Sequence, residues 1–209
     1  MVLPLGIMKF FFLRAGMHEE DRRSAIRHAH EAIAHGRGDS LALTLGGFTV
    51  AMVEHDRVAA FEAFDAALNV SPSSAFTYLA GGAALGWAGK AERAIEWGER
   101  GLRLSPFDAM TFAAHIAISV GHFQLEHFAE AADAARRATQ ANPRFTYTHV
   151  AFAAALGKLG KIDEARQAAA RVLALEPGFT ISRFCASHAM PVSLATPLSE
   201  ALRAAGLPE

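Results

Sequence analysis

Four prolines stand behind four copies of one pattern. Pro72, Pro106, Pro143 and Pro177 are separated by 34, 37 and 34 residues, and the segments before them align without gaps. They run Ala60-Phe-Glu-Ala-Phe64-Asp-Ala-Ala67-Leu-Asn-Val-Ser, Ala94-Ile-Glu-Trp-Gly98-Glu-Arg-Gly101-Leu-Arg-Leu-Ser, Ala131-Ala-Asp-Ala-Ala135-Arg-Arg-Ala138-Thr-Gln-Ala-Asn and Ala165-Arg-Gln-Ala-Ala169-Ala-Arg-Val172-Leu-Ala-Leu-Glu. Small or apolar residues recur at steps of four and three, so they share one stripe of a helix. The proline falls just past the helix end, where its missing N–H costs nothing.

Each such helix has an apolar partner upstream, at residues 41–53, 75–88, 112–125 and 146–159. Gly89-Lys90 and Gly160-Lys161 lie between the partners, where a residue tolerant of positive φ lets the chain reverse. Ser73, Ser74 and Thr146 offer side-chain oxygens for capping the next helix. The unit is therefore helix, tight turn, helix, proline, and repetition at this period predicts a stack of helix pairs rather than a single globule.

The pattern resembles the tetratricopeptide repeat (TPR) family, with the unit 75–108 the best match through Tyr78, Gly82, Leu85, Gly89, Ala94, Leu102, Leu104 and Pro106. Gly98 and Gly101 stand where the family prefers an aromatic and an alanine, which predicts looser packing in that unit. The resemblance implies an all-α, right-handed superhelix of antiparallel helix pairs, an α-solenoid. Repeats are expected at 41–74, 75–108, 112–145 and 146–178. A degenerate repeat is expected over 1–40, with Ala25, Ala29 and Ala32 keeping the stripe and residues 7–16 as its first helix. An irregular tail over 179–209 would end in a capping helix at 197–205, started by Thr196-Pro197 and closed by Gly206.

Composition narrows the function classes. Twenty basic and twenty-one acidic residues leave a net charge of -1, so no basic field favours direct nucleic-acid binding. The apolar start, Met1 to Arg14, is broken by Lys9 and Arg14 and is too short for a membrane span; it reads as a helix to be covered. The lone Cys185 points to a reducing, cytoplasmic setting.

Nothing in the pattern points to catalysis, a cofactor or a metal. Ten histidines include His28, His30, His35, His115, His122 and His127, but none has the spacing of a zinc motif. Cys185-Ala-Ser-His188 is the one nucleophile-like juxtaposition, and no Gly-x-Ser-x-Gly, Gly-x-Gly-x-x-Gly or Walker loop occurs. The pairs Glu96/Arg100, Glu99/Arg103 and Asp133/Arg137, acid first at a spacing of four, read as solvated outer surface.

The resemblance implies a concave face built by the first helices, on which family members dock peptides. By register this face carries Ala42, Leu45, Thr49, Met52 and Val53; Phe76, Leu79, Ala83 and Trp87; Ala113, Ile116, Val120, Phe123 and Gln124; and Tyr147, Val150, Ala154 and Lys158. Chaperone-binding TPR proteins hold an acidic peptide there with Lys, Arg and Asn, and here Lys158 alone qualifies. A largely apolar groove predicts a protein or peptide segment, an amphipathic helix, as partner. The competing reading is that these side chains pack against the chain's own helices or a second copy of it, as a homodimer or self-associating scaffold.

The phrasing of residues 94–108 and 198–209 also resembles the C-terminal TPR region of bacterial signalling proteins that carry an upstream class III adenylate cyclase or winged-helix domain. This implies a regulatory, protein-binding part of such a system, or its detached regulatory region.

Overall fold

A computed structural model describes residues 18–209. Residues 7–16, expected to form the first helix of the degenerate repeat, and the apolar start lie outside the described residues. Among the described residues there are eleven α-helices and no strand. They are α1 (Glu19–His35), α2 (Ser40–Thr49), α3 (Arg57–Val70), α4 (Ala75–Trp87), α5 (Ala91–Leu104), α6 (Thr111–Gln124), α7 (Phe128–Ala141), α8 (Thr146–Lys158), α9 (Ile162–Leu175), α10 (Ile181–Ser187) and α11 (Val192–Ala204). The fold is an all-α solenoid of helix pairs. It divides into two compact units, one up to Thr77 and one from Tyr78 onward.

The stripe that defines the repeat is the part of each second helix that leaves water. Ala60, Phe64 and Ala67 of α3, Ala94, Gly98 and Gly101 of α5, Ala131, Ala135 and Ala138 of α7, and Ala165, Ala169 and Val172 of α9 are all buried. Small side chains at these positions bring helix axes close, so that dispersion contacts form along the whole crossing.

In the first unit α2 is wedged between its neighbours through two glycines. A Cβ on Gly46 would meet Ile33 Cγ1 at 2.7 Å and Ala29 O at 2.9 Å, and one on Gly47 would meet Ala60 O and Ala63 Cβ, each at 3.0 Å. Asp39 caps α2, accepting from Leu41 N (2.9 Å) and Ala42 N (3.1 Å), and Asp56 caps α3, accepting from Ala59 N (3.0 Å). Between them the chain widens into a π turn, Val50–Glu54, and reverses at His55, whose φ is 68°. Arg22 donates to Val53 O at 3.0 Å, and His30 Nε2 lies 2.7 Å from Glu54 Oε2, so both ties to the π turn come from α1.

In the second unit Gly89 and Gly160 take positive φ (84° and 72°) in the turns after α4 and α8, as the sequence predicts. After α6 the same job falls to Glu126, at φ 61°. Gly98 and Gly101 correct the expectation of loose packing. A Cβ on Gly98 would strike Ile118 Cγ1 (2.7 Å) and Ala114 O (2.9 Å), and one on Gly101 would strike Leu79 Cδ2 (2.7 Å). The aromatic preferred by the family would not fit.

One expected cap and one expected helix start are also corrected. Thr146 caps nothing: it is already inside α8, and its buried Oγ1 makes no hydrogen bond. Ser74, by contrast, accepts from Thr77 N at 3.3 Å. The last helix starts at Val192, not at 197, and carries Pro197 within it. Leu194, Leu198, Ala201 and Leu202 form its buried stripe. Starting at 192 adds Leu194 to that stripe, a gain of roughly 1.5–3 kcal/mol that offsets the helical hydrogen bond proline removes, about 3 kcal/mol.

Candidate functional site

The first helices of the second unit place the predicted face residues in two groups. Leu79, Trp87, Ile116, Val120, Phe123 and Val150 are buried, as are Ala113 and Ala154. Leu79 and Val150 are at 0% exposure and Phe123 at 4%, so these side chains are packed interior in this structure. Ala83, Gln124, Tyr147 and Lys158 are half-buried. All of these residues lie on first helices, and most of them are shut off from solvent.

At the Trp87 and Tyr147 end of this face the chain's own tail packs on it, whereas Leu79 packs against Gly101 of α5 and Phe123 against Phe128 of α7. The segment after the last repeat, expected to be irregular, forms the seven-residue helix α10, with Thr180 Oγ1 accepting from Arg183 N at 3.3 Å. Phe184 and His188, one turn apart, sit between Trp87 and Tyr147. Phe184 lies edge-on to Trp87 (ring centroids 5.4 Å apart) and to Tyr147 (5.0 Å), while His188 lies 5.1 Å from Trp87 and 4.9 Å from Tyr147. The aromatic contacts continue from Tyr147 to Phe145 (5.2 Å) and from Phe145 to Phe112 (5.1 Å). Edge-to-face pairs of this kind each add about 0.5–1.5 kcal/mol beyond the area they bury.

Backbone features around these rings suit the tail. At Gly89 a Cβ would meet Pro191 Cγ at 2.8 Å, so the glycine that turns the chain after α4 also leaves room for the residue that leads into α11. Gln124 Nε2 donates to Gly86 O and Val120 O, both at 3.0 Å, tying α6 to the end of α4. The cap helix crosses α8 where a Cβ on Gly157 would meet Ala201 O at 2.9 Å. Beside this crossing Lys158 Nζ lies 3.3 Å from Glu200 Oε2. The one residue suited to clamping a peptide carboxylate is thus engaged by an internal one.

In the first unit Ala42, Thr49, Met52 and Val53 are buried, and Leu45 and Phe76 are half-buried. Thr49 Oγ1 donates to Leu45 O at 2.8 Å. The π turn adds a residue to its turn, so Met52 and Val53 do not continue the α-helical face on which Leu45 and Thr49 lie. A buried hydroxyl bridge, Thr44 Oγ1 to Thr77 Oγ1 at 2.7 Å, joins α2 to the start of α4 and had no signal beyond two threonines in apolar stretches.

The residues that invited chemistry are placed otherwise. Cys185 Sγ lies 3.6 Å from Ser199 Oγ, and burial pushes its thiol up, away from the thiolate a nucleophile needs. His188 turns Nδ1 to Phe184 O (2.9 Å) and Ser187 Oγ (3.0 Å). His122 and His127 come together, Nδ1 to Nδ1 at 3.4 Å. Among the described residues no group of three or more His, Cys, Asp or Glu is arranged to hold a metal ion. Glu99–Arg103 (3.5 Å) and Asp133–Arg137 (2.9 Å) pair on the exposed faces of α5 and α7.

Phe184 and His188 are the residues that sequence reasoning missed as part of this site. Their signal is two rings spaced four apart, following Phe179, in a stretch with no repeat of its own. That spacing marks one face of a helix.

No protein-family model matches the chain, and no curated protein matches it. Solved structures do. MamA from Desulfovibrio magneticus RS-1 is 20% identical, with a TM-score of 0.58 over 84% of this chain and 94% of that one. YrrB, described as a TPR protein with an unusual peptide-binding site, is 22% identical, with a TM-score of 0.53 over 85% and 90%. PilW, a widely conserved type IV pilus biogenesis factor, is 16% identical, with a TM-score of 0.66 over 95% and 87%. At these identities the likeness is one of fold, the TPR-type solenoid.

Proposed function

We propose that this chain is a non-catalytic protein–protein interaction module whose first-helix face, on α4, α6 and α8, receives an amphipathic helical segment of a protein partner. One observation supports this above the rest: that face already holds a short helix, through Phe184 and His188 against Trp87 and Tyr147. A surface that accommodates a helix bearing two rings one turn apart has the shape and chemistry for helix-in-groove recognition. The peptide-binding site named for YrrB belongs to that protein, and it makes peptide recognition a fitting use of the same fold here.

In this reading the half-buried positions carry recognition. Leu79, Ile116, Val120, Phe123 and Val150 shape the face from below, whereas Ala83, Tyr147 and Lys158 reach its surface. In the first unit Leu45 and Phe76 are the corresponding half-buried positions, and Thr49 and Met52 lie beneath.

A regulatory place in a bacterial signalling system rests on the likeness of residues 94–108 and 198–209 to the TPR regions of cyclase and winged-helix regulators. A cytoplasmic setting is supported by the single, unpaired-in-sequence Cys185. Among the described residues no helix is long and apolar enough to cross a membrane.

The reading is tested by affinity capture from the native host with three full-length baits. Wild type and Arg103→Ala should retain the same partner, and Tyr147→Ala should lose at least nine-tenths of it. Equal capture by all three baits would place binding elsewhere.

A further inference from the structure

We propose that α10 is an internal ligand: a latch that occupies the recognition face until a partner helix with two rings at a four-residue spacing displaces it. The proposal deepens the interaction-module reading and rests on it. Two observations and one physical argument carry it together.

The first is how α10 is held. Phe184 of α10 and His188 just past its end lie against Trp87 and Tyr147, while Ile181 N donates to Pro208 O at 2.9 Å and Cys185 Sγ lies 3.6 Å from Ser199 Oγ of α11. The neighbouring helix α11 is anchored differently, by Leu194, Leu198 and Leu202, none more than 2% exposed, and by the crossing at Gly157. The tail therefore has a longer helix seated on α8 and a shorter one that is tied to it and sets its rings against the first helices.

The second is that a Pro-Gly pair and a left-handed residue bracket α10. Pro177-Gly178 precede it, and Ala189, at φ 44°, follows it before Pro191. A left-handed alanine is a backbone state that the chain relaxes when the contacts imposing it are released. Segments bounded in this way can leave while the elements on either side stay in place.

The third is the nature of the rings. A tethered ligand competes at an effective concentration near millimolar, which makes even a short, weakly helical segment an effective blocker. The partner must then present the same chemistry in a better-formed helix: a phenylalanine-like ring and a second, polar-edged ring four residues later.

The test uses the full-length chain and, as probe, a fluorescent synthetic peptide of residues 179–191. Wild type should bind it at least tenfold more weakly than the full-length variant Phe184→Ala/His188→Ala, whose own latch is disabled. Adding Tyr147→Ala to that variant should remove the gain. Equal binding to wild type and the latch variant would overturn the latch and leave the module reading standing. No binding to either, with helical circular dichroism unchanged, would overturn both.

Should the variant misfold, hydrogen exchange on wild type decides. Amides of residues 184–188 should exchange at least tenfold faster than those of α8 and α11. Exchange of all three at one rate, through global unfolding, would show that α10 is fixed core and overturn the latch.

Discussion

The ring of Phe184 meets the ring of Tyr147 edge to face, with 5.0 Å between centroids, and this contact joins the tail to the first helix of the last repeat. It covers the Tyr147 ring, whereas Leu79 is covered from within its own repeat, at Gly101. It also changes what each face residue can be asked to do.

Phe123→Glu and Leu79→Glu are expected to unfold the protein rather than abolish recognition in a folded one. Both side chains are buried, Leu79 completely, and a carboxylate there has no cation to meet it. A loss of at least about 3 kcal/mol is expected for each, read from urea midpoints followed by far-ultraviolet circular dichroism. Tyr147→Ala, at a half-buried position, should lose less than either. A folded Leu79→Glu of unchanged midpoint would mean that the face is open.

Gly121→Ala is expected to destabilise although alanine is the better helix former. The new Cβ would lie 2.6 Å from Ile95 Cγ1 and 2.8 Å from the carbonyl oxygen of Ala91. The gain in helix propensity is about 1 kcal/mol, and overpacking against backbone costs about 1–3 kcal/mol, so packing decides. Gly98 makes the reciprocal contact with Ala114 O and Ile118 across the same pair of helices. Gly38→Ala, which meets nothing within 4 Å, is the control and should shift the midpoint little. Thermal denaturation of the two variants checks the order.

The account also predicts that stability falls as the solution is acidified from pH 7.5 to 5.5. Burial, ahead of every other cause, holds His55, His115, His122 and His149 below the ordinary imidazole value of 6.5. A depressed folded-state value means that the unfolded chain binds protons first, so the folded state keeps its full advantage above pH 6.5 and loses it below. The urea midpoint should therefore drop across this window, and His115→Gln should make the drop smaller. A midpoint that rises on acidification would contradict the assignment.

Much of the fold was legible because it is written in repeated small residues. Ala60, Ala94, Ala131 and Ala165 occupy one position of one unit, and a stripe repeated in register has few ways to be buried. Turns at Gly89 and Gly160 followed from the same period. The π turn at Val50–Glu54 was not legible, since nothing in Val-Ala-Met-Val-Glu departs from an α-helical composition; it is held from outside by Arg22 and His30. The caps at Asp39 and Asp56 were not singled out in the sequence, although both stand just before apolar helices.

The candidate site was legible in its walls and not in its content. Register placed Trp87, Phe123 and Tyr147 on first helices, but whether such residues face solvent depends on a segment far along the chain. Phe184 and His188 reach Trp87 and Tyr147 across separations that no local pattern encodes. The start of α11 was misplaced for a related reason: Thr196-Pro197 is a good local helix start, and the leucine stripe from Leu194 to Leu202 overrides it.

The most direct measurement is photo-cross-linking in the native host from a benzoylphenylalanine placed at position 147, with position 103 as reference. The account predicts adducts at 147 that map to one helical stretch of another protein, with two rings four residues apart, and none of that protein from 103. Partner adducts from 103 with only the chain's own residues 179–191 recovered from 147 would contradict it.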